Sequence, residues 1–240
     1  MSYVPPAELA RSMVDAGQSK VLMSTRDTLI RSYMGGAILA LAAAFAVTVT
    51  VQTGNALLGA VLFPVGFCML YLLGFDLLTG VFTLAPVAYI DKRPGVTAGA
   101  VLRNWGLVFL GNFAGAFTVA VMITYILTYG YSIPANDVAQ QLMHIGEART
   151  VGYAEHGAAG MMTLFLRGVL CNWMVSTAVV AALMSKSVPG KVLVMWMPIM
   201  LFFYMGFEHS VVNMFLFPFG MIMGGDFSVM DYMIWNEIPT

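Results

Sequence analysis

The sequence predicts an all-α integral membrane protein that contains an internal repeat. Of its 240 residues, 60% are hydrophobic and only 10% are charged, which leaves too little polar surface to solvate a globular protein of this size. Five apolar stretches are long enough to cross a bilayer, which takes about 20 residues per helix. Two of the five carry the same interruption. These observations indicate a bundle of spanning helices, two of which are broken.

The five apolar stretches give the predicted spans and their orientation. They cover roughly 31–51, 57–90, 104–128, 158–184 and 191–224, and the second and fifth are too long for one straight crossing. Nine of the eleven Lys and Arg residues lie before span 1, between spans 2 and 3, or between spans 4 and 5. Cytoplasmic loops carry the excess of basic residues. We therefore expect a multi-pass protein of the cell (inner) membrane with a cytoplasmic N-terminus.

The interruption is the clearest sign of the repeat. The segment "GFDLLTGVFTLAP" at 74–86 and the segment "GFEHSVVNMFLFP" at 206–218 share Gly-Phe-acid at their start and a proline 12 residues after the glycine. The two copies are 132 residues apart (206 − 74). Each repeat unit has three spans. Because three is an odd number, the chain leaves the first unit on the opposite side of the membrane, and the second unit must enter inverted. Inverted repeats with interrupted helices are typical of transporters and channels.

The repeat divides the chain into four parts. We expect a cytoplasmic N-terminal amphipathic helix at 1–25, a first transmembrane repeat at 26–128, an extracytoplasmic loop at 129–157 and a second repeat at 158–240. A surface helix is the favoured interpretation of the first part, with a gating segment as the alternative. The counterpart of span 3 falls near residue 235. We therefore expect a sixth span, and a natural protein that continues by about 25 residues beyond this chain.

The breaks predict a polar pathway through the membrane. Unpaired backbone amides are tolerated at this depth only where protein or a water-filled cavity surrounds them, and the end of a half-helix favours an anion. Asp76 and Glu208 follow the break glycines, and we expect them to clamp the loop by accepting bonds from its amides. A charge at the bilayer centre costs about 2.5–3.5 kcal/mol. We therefore expect both carboxylates and Arg167 to be paired and buried, with Arg167 bound to Glu208.

Three histidines have different predicted roles. His209 is the one histidine in the predicted spans, and with an unperturbed pKa near 6.5 it can exchange a proton at physiological pH. A neutral histidine that ties down its loop is the alternative. His144 and His156 lie in the predicted outer loop with Glu147 and Glu155. A solvated loop is favoured there over a metal site.

Four segments resemble the formate/nitrite transporter family, and the similarity extends along the chain from residue 20. They are "FDLLTG" at 75–80, "NWGLVFLGNFAGA" at 104–116, "RGVLCNWMV" at 167–175 and "GFEHSVVNMF" at 206–215. The resemblance implies an aquaporin-like fold of six spans and a homopentamer with one pore in each protomer. It also implies passage of small monovalent anions such as formate or nitrite, or their cotransport with a proton. We expect no enzymatic activity, no cofactor and no metal.

The resemblance also implies roles for individual residues. His209 matches the family's pore histidine, Thr79 its hydrogen-bonding threonine and Asn172 the asparagine of span 4 close to the pore. The candidates for the apolar constrictions are Phe75, Leu78 and Phe207.

At two positions the chain departs from the family pattern. Members commonly carry Glu where this chain has Asp76, and many carry a lysine where His156 stands. If that lysine supplies a fixed positive electric field, a histidine in its place makes the field weaker and dependent on pH.

Two other classes of function remain as alternatives. A water or glycerol channel has the same kind of repeat but is expected to carry paired Asn-Pro-Ala signatures, which this sequence lacks. A membrane-embedded enzyme needs a second titrating group or a metal facing His209, and no His-Glu-x-x-His or Cys-x-x-Cys motif occurs. Nucleic-acid binding is excluded because the basic residues form no extended patch. The sequence leaves open which anion passes, and whether the protein is a channel or a proton-coupled carrier.

Overall fold

The computed structural model describes residues 3–240, and its helices follow the apolar stretches. Residues 1 and 2, at the start of the predicted N-terminal segment, lie outside the described residues. No β-strand occurs within 3–240, so the predicted all-α class is confirmed. The helices are α1 Pro6–Val21, α2 Thr25–Thr53, α3 Ala56–Leu62, α4 Pro64–Leu72, α5 Leu78–Ile90, α6 Ala98–Leu127, α7 Asp137–Ala148, α8 Val151–Ala154, α9 Gly157–Met184, α10 Val188–Tyr204, α11 Ser210–Ile222, α12 Val229–Tyr232 and a C-terminal π-helix Met233–Glu237.

Among the described residues, three helices are long and apolar enough to cross a membrane, namely α2, α6 and α9. The other two predicted spans are divided. The stretch predicted at 57–90 forms α3, α4 and α5, and the stretch at 191–224 forms α10 and α11. Pro64 stands at the first position of α4, where its missing N–H interrupts the helical ladder and separates α4 from α3.

The two breaks have the same local structure. Both α5 and α11 have 13 residues, and the bounds of α11 are those of α5 shifted by 132. Gly74 and Gly206 lie just after the C-caps of the preceding helices α4 and α10, with φ of 74° and 64°. This is the left-handed conformation that glycine adopts without strain. The amides of Phe75 and Phe207 then bond back to the carbonyls five residues earlier, at 2.9 and 3.1 Å. This is the Schellman way of ending a helix.

Close packing of α2 against α6 positions the first break. A Cβ on Gly36 would collide with the backbone of Asn112, and a Cβ on Gly115 would collide with the backbone of Tyr33. Lipid acyl chains are as apolar as the side chains, so the hydrophobic effect does not drive helices together in a membrane. Helices there associate through close packing, which small residues such as glycine allow. The glycines therefore set the spacing at which α6 delivers its side chains to the break.

Two amphipathic segments cover the half-helices. The first helix, α1, packs on α5, and α7 packs on α11. The predicted outer loop at 129–157 thus contains α7 and α8, and α7 buries Val138, Ala139 and Leu142. Each half-helix is consequently enclosed by a segment that lies outside the spans.

We predict that Gly115→Leu destabilises the fold, because the new side chain must push α2 and α6 apart. The expected result is a melting temperature lowered by several degrees, or loss of assembly. Thermal melting of the detergent-purified protein, followed by size-exclusion chromatography, measures it.

The matched control is Gly106→Leu on the same helix. A Cβ at Gly106 meets no atom within 4 Å, so this variant should melt close to wild type. Equal losses in the two variants would show that the α2 and α6 contact does not set stability.

Candidate functional site

Asn112 of α6 organises the first break. Its Nδ2 donates to the carbonyls of Ser32 and Asp76 at 2.7 and 2.8 Å, and its Oδ1 accepts from the amide of Leu78 at 2.9 Å. The side chain is fully buried. One amide therefore satisfies three backbone groups in the region of the interruption, as a low-dielectric environment requires. Sequence analysis did not single out Asn112, although it is a polar residue inside the apolar segment "NWGLVFLGNFAGA".

His209 organises the second break. It is the N-cap of α11, and its Nδ1 accepts from the amide of Val212 at 3.3 Å. The ring is buried and stacks on Phe202 with the centroids 5.4 Å apart. In the neutral ring the proton therefore resides on Nε2. No group among residues 3–240 forms a hydrogen bond with Nε2.

The two break carboxylates are bound to basic residues of the covering segments. Asp76 pairs with Lys20 at the end of α1, and Glu208 pairs with Arg149, which directly follows α7, at 3.5 Å. Within residues 3–240, no backbone amide donates to either carboxylate. The structure therefore corrects the predicted loop clamp. Asn112 supplies the acceptor for a break amide in the first copy, and the carboxylates instead join each break to the segment that covers it.

The predicted pair of Arg167 and Glu208 is also corrected. The Nη1 of Arg167 donates to the Tyr153 hydroxyl at 2.7 Å, and that hydroxyl donates to Oε1 of Glu208 at 2.7 Å. Short helix α8 places Tyr153 between the two charges, so Arg167 acts through a hydroxyl and stays exposed. The ionic partner of Glu208 is Arg149, which the sequence assigned to a solvated loop. Asn213 completes the network through bonds to both members of that pair.

The ion pairs are built in the same way in both copies. An asparagine 28 residues after each carboxylate donates its Nδ2 to the backbone carbonyl of the paired basic residue. Asn104 bonds to the carbonyl of Lys20 and Asn236 bonds to that of Arg149, both at 3.0 Å. The local correspondence thus includes the covering segments.

Of the other predicted residues of the first break, one lines a cavity and two are buried beside it. Phe75 lines a cavity of about 230 Å³ together with Lys20 and Asp76. Leu78 and Thr79 are buried in the first turn of α5. The Thr79 hydroxyl has no hydrogen-bond partner among the described residues.

Phe207 and Asn172 lie in different surroundings. Phe207 is half-buried in the second break. Asn172 is half-buried on α9, and its Nδ2 donates to the carbonyls of Gly168 and Thr240 at 2.9 and 3.3 Å. Within 3–240, Asn172 forms no hydrogen bond to a residue of either break.

The other two histidines lie away from His209. His156 precedes α9 and lines a cavity of about 500 Å³ with Tyr153 and Arg167. His144 is exposed on α7. Across the described part of the chain, no three His, Cys, Asp or Glu residues gather as a metal site.

Comparison with known proteins identifies the family. The family model described as "Formate/nitrite transporter" matches residues 7–240. The chain belongs to the formate/nitrite transporter family. It is therefore a membrane transport protein.

Curated relatives extend over nearly the whole chain. A probable formate transporter of Methanothermobacter thermautotrophicus is 31% identical, with 100% of this chain and 90% of that protein covered. The formate channel FocA of Haemophilus influenzae is 36% identical, with 86% of this chain and 71% of that protein covered. Both are named as a transporter or a channel and neither as an enzyme.

Solved structures of the formate/nitrite transporter class establish the fold. An "FNT family ion channel" superimposes with a TM-score of 0.80 at 21% identity and covers 95% of this chain and 91% of its own. A "pentameric formate channel with formate bound" gives a TM-score of 0.70 at 20% identity and covers 90% and 89%.

We predict that Arg149→Gln strongly destabilises the protein, because it leaves the buried Glu208 carboxylate without its cation. Removing one member of a buried pair costs about 3–5 kcal/mol. The double variant Arg149→Gln with Glu208→Gln should recover part of this loss. Unfolding of Arg149→Gln, Glu208→Gln, the double variant and wild type in mixed micelles gives the double-mutant cycle.

The control is Arg93→Gln, which breaks exposed pairs with Asp15 and Asp91. Loss of exposed ion pairs lowers the free energy of unfolding by no more than about 1 kcal/mol. If Arg149→Gln lowers it no further than Arg93→Gln does, the neutral hydrogen-bond donors alone compensate the charge of Glu208.

Proposed function

We propose that the chain passes small monovalent anions of weak acids, formate or nitrite, across the membrane, and that passage is linked to protonation beside His209. The observation that carries this proposal is the free Nε2 of a buried histidine at the start of a half-helix. Membership of the formate/nitrite transporter family supports it, as do relatives named as formate transporters and channels.

Protonation solves the energetic problem of the passage. An unpaired ion in an apolar constriction faces a penalty of tens of kcal/mol, whereas a neutral molecule does not. The amide ends of α5 and α11 attract the anion, and an Nε2–H group donates a hydrogen bond to it. A weak-acid anion that takes up a proton there continues as the neutral acid. Protons are therefore partners of this transport.

The pathway is assigned to the residues of the two breaks. His209, Thr79 and Asn172 are proposed as the polar residues of the pore. The unpartnered hydroxyl of Thr79 supports its place in that set. The proposed constrictions are Phe75, Leu78 and Phe207.

The proposed membrane arrangement is an inverted repeat. It comprises the N-terminal helix 1–25, the first unit at 26–128, the connecting segment at 129–157 and the second unit at 158–240. The equal lengths of α5 and α11 and the two matching ion-pair networks support it. We place the N-terminus in the cytoplasm and the protein in the inner membrane, on the distribution of Lys and Arg.

We also propose a homopentamer with a pore in each protomer. The support is the solved pentameric formate channel, whose fold this chain shares. Transport of a neutral solute such as glycerol is the competing function, and the uptake experiment below distinguishes it by its response to a proton gradient.

We predict that His209→Asn lowers formate uptake at least tenfold and removes its dependence on the proton gradient. Asparagine keeps a side-chain acceptor at the N-cap of α11 but does not titrate. Uptake of labelled formate into proteoliposomes, with and without an imposed pH gradient, measures both effects.

The matched control is His144→Gln, which changes an exposed histidine of α7 and should leave uptake unchanged. Unimpaired uptake by His209→Asn that still follows the gradient would return His209 to a purely structural role. Nitrite is added as competitor to test whether it shares the pathway.

We predict that Thr79→Val lowers formate uptake several-fold without loss of stability. Valine has nearly the same shape, and the hydroxyl that it removes has no protein partner to lose. Thr79→Ser should retain most of the uptake because it keeps the hydroxyl. Wild-type uptake by Thr79→Val would exclude that hydroxyl from the pathway.

A further inference from the structure

A second carboxyl group lies beside the second break. Glu237, in the C-terminal π-helix, is buried, with 8% of its surface exposed. Its Oε1 accepts from the Ser210 hydroxyl at 2.5 Å, and its Oε2 accepts from the Tyr232 hydroxyl at 2.7 Å. Among residues 3–240, no Lys, Arg or His forms an ion pair with it. Neutral hydroxyl groups therefore hold this carboxyl group.

The carboxyl group is bound to the start of the half-helix that carries His209. Ser210 is the first residue of α11 and directly follows His209. A negative charge in the first turn is attracted by the same helix end that favours a transported anion. Glu237 and the anion therefore compete for one electrostatic environment.

Glu237 differs from the ionisable groups around it. The ionisable groups on the elements packed against the π-helix are Asp231 and Tyr232 of α12, His209 at α11, Tyr153 of α8, and Arg167 and Cys171 of α9. The neighbouring Asn236 bonds to the Arg149 carbonyl and to the Glu208 side chain. Glu208 forms an ion pair with Arg149. Asp231 is half-buried and forms the capping box of α12 with Ser228. Glu237 is the buried carboxyl group of this set whose charge can change without breaking an ion pair.

We propose that Glu237 is a positioning residue that sets how strongly the anion is held at α11 according to pH. This inference rests on the proposed function. The ionised carboxyl group repels the anion, and the protonated group does not. A unit charge about 10 Å away at an effective dielectric of 20 changes affinity by roughly tenfold. By linkage, binding of the anion promotes protonation of Glu237 to the same extent.

The first test measures the KM for formate uptake into proteoliposomes between about pH 5 and pH 8. In wild type the KM should rise roughly tenfold as the carboxyl group ionises. Glu237→Gln, which keeps the shape and cannot ionise, should hold the low KM across the range. The control Asp231→Asn removes a carboxylate of α12 that bonds to Ser228 and not to α11, and it should keep the wild-type profile. Equal profiles for wild type and Glu237→Gln would overturn the proposal.

The second test needs binding but no transport. Infrared difference spectra, recorded on adding formate to the purified protein, should show an increase in the carbonyl stretch of a protonated carboxyl group. The band should be absent in Glu237→Gln, and an unchanged band in wild type would overturn the inference. If wild type shows no uptake, the proposed transport fails, and the infrared result still decides the role of Glu237.

Tyr232→Phe provides a second variant if Glu237→Gln does not assemble. It removes one donor to the ionised carboxyl group and so favours the protonated form. The midpoint of the KM profile should move to higher pH. A midpoint that stays in place would contradict the assignment of the titrating group to Glu237.

Discussion

The structure depends on one constraint, which is that a helix interrupted inside a bilayer must find partners for its exposed backbone groups. In the first break these partners come from a neighbouring helix, since the Asn112 side chain bonds to the Leu78 amide and the Asp76 carbonyl. The same side chain also bonds to the Ser32 carbonyl of α2. The Asn112 side chain reaches the break only because α6 packs against α2 as closely as glycine at the contact allows. The backbone of Asn112 itself lies against Gly36. The geometry of the first break therefore depends on how closely the two intact helices α2 and α6 pack. A larger residue at Gly36 would displace the group that makes the break tolerable.

The charges of the breaks are linked to segments outside the spans in the same way. Asp76 and Glu208 would neutralise the adjoining helix ends if they bound the break amides directly. Their ion pairs with Lys20 and Arg149 compensate each carboxylate from elsewhere, so the amide ends of α5 and α11 keep their attraction for an external anion. The cations stand at the end of α1 and just after α7. Any displacement of either segment therefore changes the electrostatics at the start of the half-helix that it covers.

Local sequence features predicted the spans and breaks, whereas long-range packing decided the partners. Hydropathy and the duplicated Gly-Phe-acid motif located the helices because both are properties of neighbouring residues. Arg149 was assigned to a solvated loop, since nothing next to it in sequence shows that α7 packs on α11. The amphipathic pattern of α7 was a readable signal that went unused. Tyr153 could not be predicted as the bridge between Arg167 and Glu208, because its place depends on how α8 joins α7 to α9.

The two half-helices differ in how they begin, and the difference bears on proton transfer. The N-cap of α5 is Leu77, which has no side-chain acceptor, while α11 is capped by the ring of His209. A neutral ring that accepts at Nδ1 and holds its proton on Nε2 is a donor of hydrogen bonds but not an acid, because losing that proton would leave an imidazolate. Acting as an acid requires the doubly protonated ring, in which Nδ1 no longer accepts and the amide of Val212 loses its cap. Proton delivery by His209 therefore requires loss of the bond from the Val212 amide to Nδ1. That bond lies in the same turn that Ser210 joins to Glu237.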